Sequence, residues 1–194
     1  MRYKEFNRNR VLEICLSLFW QQGSGGVAIS DIVEATNVNR FSLYEEFKNK
    51  EGILQAVIDL YRERYSAAKL ELLEASGPTL EVLKDFYLSF LNPNYKHEGC
   101  FIIHIGTELA DTDPVIKAKL KDYLKEIENL ISGLLMRDPD LTAHHQTYAK
   151  HLTGLFCTSM SFCLIHSEKE RLEHITNSIQ VITNKSRKHA TGTE

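Results

Sequence analysis

Apolar residues recur every three or four positions along nearly the whole chain. In the first such segment Val11, Cys15 and Phe19 fall on one face of a helix. A longer ladder of the same kind runs from residue 53 to residue 72. No segment shows the alternation of apolar and polar residues that indicates a half-buried strand. The pattern predicts an all-α protein, with helices at about residues 8–22, 29–36, 40–47, 50–75, 79–91, 99–110, 114–137, 142–166 and 168–185.

Residues with turn and capping preferences separate the first four helices. Gly23 predicts the end of the first helix, since glycine interrupts a helical pattern. Asn37 predicts a tight turn between the second and third helices, because asparagine enters the left-handed region more easily than most residues. Asn39 and Asn49 stand where a side chain caps a helix N terminus. Two short helices joined in this way and packed on a third are typical of a helix-turn-helix.

Charge is distributed unevenly along the 194 residues, whose formal net charge is −3. Residues 1–50 hold seven Lys or Arg and six Asp or Glu, whereas the remainder holds sixteen and twenty. Four of the basic residues lie within the first ten positions. A basic arm on a small, near-neutral domain can contact phosphates. The charge pattern thus places a nucleic-acid contact near the N terminus and none in the acidic remainder.

The sequence indicates neither a membrane span nor a signal peptide. Charged residues interrupt the apolar stretches every few positions, so no stretch has the length of a membrane span. The first residues lack the pattern of a signal peptide. We therefore expect a cytoplasmic protein that does not contact a membrane. The four cysteines form no Cys-x-x-Cys motif, which favours reduced, mostly buried thiols over disulfides.

One stretch of the chain carries motifs that a generic pair of helices would not have. Tyr44 and Phe47 form a Tyr-x-x-Phe motif, which is followed by a Lys-Glu pair. The motifs in full are Arg10-Val11-Leu12, Leu18-Phe19, Gly23, Ile29-Ser30-Asp31-Ile32-Val33, Val38-Asn39-Arg40, Ser42-Leu43-Tyr44, Phe47 and Asn49-Lys50-Glu51. With them, residues 8–60 resemble the TetR family of bacterial regulators. A looser resemblance extends to Gly99-Cys100 and Glu108-Leu109-Ala110.

The resemblance implies a two-domain regulator of transcription. Residues 1–50 would form the helix-turn-helix DNA-binding domain, and residues 51–194 a helical regulatory domain that binds a ligand and dimerises. The long fourth helix would link the two domains. The expected partners are double-stranded operator DNA, a second copy of the chain bound through the last two helices, and an unknown small-molecule effector. The expected activity is repression that ends when a small, largely apolar molecule binds; no cofactor is expected.

The resemblance also assigns residues to the DNA contact. Arg40 is the best candidate for a bidentate contact with guanine, because its planar fork matches the O6 and N7 acceptors. Tyr44 and Lys50 would contact phosphates, and the start of the fourth helix favours anions there. The complete expected set of DNA-binding residues is Ser30, Asn39, Arg40, Phe41, Ser42, Tyr44, Lys48 and Lys50.

Five positions depart from the usual pattern of the family. Glycine is usual where this chain has Asn37, and threonine often caps the second helix where it has Ala28. A small residue is usual at Phe41, and histidine or an aromatic residue is frequent at Glu45 and Glu46. Two carboxylates near phosphates lower the affinity for DNA, unless one of them reads a cytosine amino group. The departures concern operator sequence and affinity.

The regulatory domain offers aromatic and polar side chains for an effector pocket. Mixed residues of this kind suit an apolar ligand with a few polar groups, although an aromatic stripe at helical spacing is more often core. The candidate lining residues are Tyr61, Tyr65, Phe86, Tyr87, Phe90, Phe101, His104, Thr107, Tyr123 and Phe156. A ligand among the fourth to seventh helices would shift the fourth helix and change the separation of the two third helices. Cys100 and His104 share a helical face, but two ligands do not make a metal site, so no metal is predicted.

Two other classes of function compete with a ligand-responsive repressor. An enzyme is disfavoured, because the sequence has no Gly-rich phosphate loop, no Gly-x-Ser-x-Gly and no His-Glu-x-x-His. An activator, or an interaction module with weakened DNA binding, stays open because of Glu45 and Glu46. A helical bundle in which residues 27–50 merely pack is the plainest alternative.

Overall fold

The computed structural model describes residues 6–91, 99–162 and 167–190. Within these ranges the chain is helical and has no strand, which confirms the all-α prediction. The helices are α1 Arg8–Gly26, α2 Ile29–Thr36, α3 Arg40–Phe47, α4 Lys50–Tyr61, α5 Ala67–Glu71, α6 Thr79–Ser89, α7 Phe101–Leu109, α8 Pro114–Leu135, α9 His145–Phe162 and α10 Glu168–Ala190. In the described parts of the chain, no helix combines the length and apolar character that crossing a membrane requires.

The first helix bends where the sequence predicts its end. Gly23 leaves the helical region, with φ 68° and ψ 173°, and one further turn follows up to Gly26. Upstream of the bend, α1 buries Leu12, Cys15 and Phe19 against the neighbouring helices. Burial raises the pKa of the Cys15 thiol to about 12, so this thiol is inert near neutral pH.

The long fourth helix of the prediction is interrupted. A π-helical turn, Arg62–Ser66, follows α4, and α5 then runs into a 3-10 turn that ends at Glu74. The wider turn brings Ser66 inward, where its hydroxyl lies 2.8 Å from the Tyr123 hydroxyl of α8. Apolar periodicity does not distinguish a π turn from an α turn, so the sequence pattern missed the interruption.

The part of the chain after residue 78 is built on α8, which packs lengthwise on α9, while α10 packs on α6. Pro114 in the first turn and Asp113 as the N-cap start α8 as predicted, and the Asp113 carboxylate accepts from the Val115 and Ile116 amides. The predicted eighth helix ends at residue 166; α9 reaches Phe162, and residues 163–166 lie outside the described ranges. The ninth was predicted to end at residue 185, but α10 continues to Ala190.

The N terminus of α2 is incompletely capped. Ala28 occupies the N-cap position without a side-chain acceptor, and its own amide donates to the Asp31 carboxylate at 2.8 Å. We expect Ala28→Ser to raise the free energy of unfolding by about 1 kcal/mol, because the serine oxygen would accept from a free amide of the first turn. Chemical denaturation measures this, with Ala28→Val as the control that adds no acceptor. Equal stability of the two variants would contradict the explanation.

Candidate nucleic-acid interface

The turn between α2 and α3 has the geometry that its asparagines predict. Asn37 adopts a left-handed conformation, with φ 54° and ψ 30°. The Asn39 side chain caps α3 by accepting from the Ser42 amide at 2.9 Å. The Thr36 hydroxyl donates to the Ile32 carbonyl and accepts from the amide that follows the turn. Local hydrogen bonds therefore set the angle between the two helices.

The buried and exposed sides of α3 are clearly separated. Leu43 and Phe47 are buried against the domain core. Arg40 and Phe41 are exposed at the N-terminal end, and 58% of the Phe41 side chain is accessible. Ser42 and Tyr44 are half-buried beside them. The sequence-predicted residues of α3 thus share one outward surface.

The Arg40 side chain lies back along its own helix. One of its guanidinium nitrogens is 3.4 Å from the Tyr44 hydroxyl, and the guanidinium carbon lies 5.0 Å from the centre of the Tyr44 ring. This contact with the aromatic face orients the arginine without burying its charge. A DNA base that binds the Arg40 guanidinium would have to replace only this exposed contact with Tyr44.

One of the two glutamates on α3 is neutralised by the N-terminal arm. The Arg8 guanidinium lies 2.9 Å from the Glu46 carboxylate and also 5.3 Å from the centre of the Phe47 ring. Glu45 is exposed. The repulsion of phosphate by this helix is therefore smaller than the sequence suggests, because Arg8 offsets one of the two negative charges.

Arg10 joins the interface although the resemblance did not assign it to the DNA contact. Together with Asn7 it lines a cleft of about 320 Å³ that also includes Asn37, Asn39 and Ser42. The sequence placed Arg10 in a basic arm and in a family motif but not at the DNA contact, since nothing in the linear pattern shows that α1 starts beside the α2–α3 turn. The cleft combines a guanidinium with amide and hydroxyl groups, which are the groups that contact phosphates.

The other predicted contacts lie at the two ends of the motif. Ser30 is exposed in the first turn of α2, with its hydroxyl 3.4 Å from the Asp31 carboxylate. Lys48 is exposed between α3 and α4 and has φ 74°. The ammonium group of Lys50 donates to the carbonyl oxygens of Ser24 and Val27, at 3.0 and 3.1 Å. The ammonium group has three N–H donors, and these two carbonyls take two of them. A phosphate contact by Lys50 stays a prediction, and it would use the third donor.

The candidate effector residues fall into two aromatic groups. Tyr61, Tyr65 and Phe101 lie near Trp20 of α1, and the Trp20 and Phe101 ring centres are 5.3 Å apart. The second group, on α6, α9 and the residue after α6, contains Phe86, Tyr87, Phe90 and Phe156. The first group therefore borders the DNA-binding domain, which the sequence pattern did not predict.

Polar groups lie between these aromatic residues. The Cys100 sulfur lies 3.6 Å from the Tyr123 hydroxyl, and burial raises the pKa of the thiol. Lys69, which sequence reasoning missed, places its ammonium 4.3 Å from the centre of the Phe90 ring, and burial lowers its pKa. His104 is half-buried, whereas Thr107 is exposed and donates to carbonyls of its own helix. Among the described residues, no three His, Cys, Asp or Glu side chains are grouped as metal ligands.

Comparison with known proteins finds relatives among bacterial regulators of transcription. The model of the bacterial regulatory proteins of the tetR family matches residues 12–57. The chain is 35% identical over 124 residues to the HTH-type transcriptional repressor ComR of Escherichia coli (strain K12), and the match covers 62% of this chain and 59% of ComR. It is 27% identical over 142 residues to the HTH-type transcriptional regulator YezE of Bacillus subtilis (strain 168), covering 72% of this chain and 73% of YezE.

A solved structure shares the fold over nearly the whole chain. It is the TetR family transcriptional regulator CifR, a cysteine mutant complexed with 26-base-pair double-strand operator DNA. The TM-score is 0.80, the identity 17%, and the match covers 92% of this chain and 98% of CifR. At this identity the likeness concerns the fold alone. The family model and the sequence relatives identify residues 12–57 as a helix-turn-helix of the TetR family of bacterial regulatory proteins, as the sequence motifs predicted.

Proposed function

We propose that this protein is a DNA-binding transcriptional regulator that acts as a repressor. The observation that carries the proposal is the outward surface of α3, where Arg40 and Phe41 are exposed at the end of a capped helix. A recognition helix enters the major groove with such N-terminal residues at the base edges. ComR is named a repressor, and CifR is described in complex with operator DNA, which supports the same role here.

The proposed active form is a homodimer joined through α9 and α10. Leu172 and Val181 of α10 are exposed, as are Gly154 and Thr158 of α9. Beyond the neighbouring residues and local backbone of α9 itself, nothing lies within 4 Å of the position that a Cβ would take at Gly154, so a second helix has room to approach. Two copies related by a two-fold axis would present their α3 helices about one DNA turn apart or somewhat more.

Regulation by a small, largely apolar effector is the second part of the proposal. The aromatic groups around Phe101 and Phe86 provide apolar surface, while Lys69, Cys100 and Tyr123 provide polar contacts between them. Such a combination suits an apolar molecule with one or two polar groups. An effector of this kind would bind the DNA-free conformation more tightly than the DNA-bound one. It would lower the affinity for operator DNA by the size of that difference.

The test is a DNA-binding titration at several salt concentrations, with DNA from around the gene itself. We expect specific binding that weakens steeply with salt, because binding releases counterions from the phosphates. Arg40→Ala is expected to lower the affinity for the specific site by about 5–150-fold, which corresponds to roughly 1–3 kcal/mol for one bidentate base contact. Tyr44→Phe would weaken binding to all sequences alike.

The matched control is Lys121→Ala, which removes one exposed positive charge from α8 instead of α3. Its effect on the specific site should be small, because Lys121 belongs neither to α3 nor to the residues that line the cleft beside it. Specific binding that Arg40→Ala leaves unchanged would refute the assigned role of α3. If the wild type shows no sequence preference, the alternative of an interaction module with weakened DNA binding is favoured. The Arg8–Glu46 ion pair argues against that alternative, because it offsets one of the two glutamate charges on α3.

A further inference from the structure

The segment between α1 and α2 is held from two sides. On one side the Glu108 carboxylate of α7 accepts from the backbone amides of Ser24 and Gly25, each at 3.0 Å. On the other side the Lys50 ammonium of α4 donates to the carbonyls of Ser24 and Val27. The segment that leads into the helix-turn-helix is thus fastened to α4 and also to a helix of the regulatory domain.

The bend at Gly23 creates the site that receives the carboxylate. With φ at 68°, Gly23 turns the chain so that the next two amide groups point toward one acceptor. A Cβ at Gly23 would lie 3.3 Å from an oxygen of Glu108, so the carboxylate sits close to the backbone. Hydrogen bonds to an ionised acceptor are stronger than those between neutral groups.

The other end of α7 lies among the candidate effector residues. Its N-cap, Cys100, contacts Tyr123, and its first residue, Phe101, is fully buried and packs on Trp20. Midway along, α7 approaches α8 closely, since a Cβ at Gly106 would lie 2.9 Å from the Leu120 side chain. A straight helix of this length spans about 13 Å. It therefore joins the interior of the regulatory domain to the segment before α2.

We propose that Glu108 is a positioning residue for operator binding. The inference rests on the proposed function, because it requires a dimer that binds DNA. The two hydrogen bonds of Glu108 fix the DNA-binding domain on α7 and so fix the distance between the two α3 helices of the dimer. A shift of α7 moves the segment 24–27, and α2 and α3 move with it. Without Glu108 the domain can rock, and the dimer accepts half-sites at several separations.

The experiment is selection of binding sites from a DNA library in which half-site sequence and half-site separation both vary. Full-length wild type is expected to enrich one separation. Glu108→Ala is expected to enrich several separations and to bind the wild-type separation about tenfold more weakly, within the usual range of coupling between sites. The selected half-site sequence should not change, because α3 is unaltered. Thermal unfolding checks that each variant is folded.

Two further variants complete the test. Glu108→Gln keeps the shape of the side chain and one acceptor oxygen, so it should fold and show a smaller broadening of separations. Glu71→Ala removes an exposed glutamate of α5 and should select as the wild type does. If both folded Glu108 variants select one separation with wild-type affinity, the positioning role is refuted and the proposed function stands. If the wild type enriches no sequence, the proposed function fails and this inference with it.

Discussion

Gly52→Ala is expected to lower the free energy of unfolding by at least about 3 kcal/mol, at the upper end of what overpacking costs. A Cβ at this position would lie 1.9 Å from the carbonyl oxygen of Phe47, and a backbone atom cannot move aside as a side chain can. The same carbonyl accepts from the Asn49 amide in a tight turn centred on Lys48, whose φ is 74°. The junction between α3 and α4 would have to open, and DNA binding should be lost together with stability.

Chemical denaturation at a fixed protein concentration measures this effect, since the stability of the proposed dimer would depend on concentration. Gly133→Ala is the matched control, because Gly133 lies within α8 and no atom beyond its neighbours and the local backbone of that helix lies within 4 Å of its Cβ position. This control should raise the stability by roughly 0.5–1 kcal/mol through helix propensity alone. A Gly52→Ala protein as stable as the control would show that the α3–α4 junction is not as tight as described.

Two phenylalanine truncations should separate stability from DNA recognition. Phe101→Ala is expected to lower the free energy of unfolding by about 3–5 kcal/mol, as large core truncations do. Phe101 is fully buried, and its ring contacts both Trp20 of α1 and Tyr61 of α4. The loss would therefore loosen the packing between the DNA-binding helices and α7.

Phe41→Ala truncates the same type of side chain at an exposed position instead of a buried one. Because 58% of Phe41 is exposed, its removal should change the stability by no more than about 0.5 kcal/mol. Binding to operator DNA should weaken, since an apolar group at this position of α3 can contact a thymine methyl. Denaturation and DNA titration of both variants test the pair. The assignment of the two surfaces fails if Phe41→Ala destabilises the protein as much as Phe101→Ala.

Features that depend on neighbours in the sequence were predictable. Asn37, Asn39, Asn49 and Asp113 all adopt the turn or capping roles expected of them, because a cap or a turn is completed within about four residues. The ordinary α-helices follow the apolar period for the same reason. The π-helical turn after α4 was not predictable, because the apolar residues before it and after it each follow the ordinary helical period.

Contacts between distant residues were decided by the packing of helices. Arg8 and Glu46 are 38 positions apart, and only the packing of the helices brings them together. The division of the effector candidates into two aromatic groups has the same origin, because the angles between α4, α6 and α7 determine which rings meet. The domain boundary at residue 50 stays a prediction; α4, which begins there, packs on both α1 and α7.

The sequence by itself determined the helices, their caps and the outward side of α3, because each depends on residues within one or two turns. The tertiary structure alone decided which distant residues those helices contact. Glu108 meets the amide of Ser24 across 84 positions, and Lys50 meets the carbonyl of the same residue from another helix. A backbone amide or carbonyl carries no side-chain signature, so no pattern of residue types could have revealed these partners.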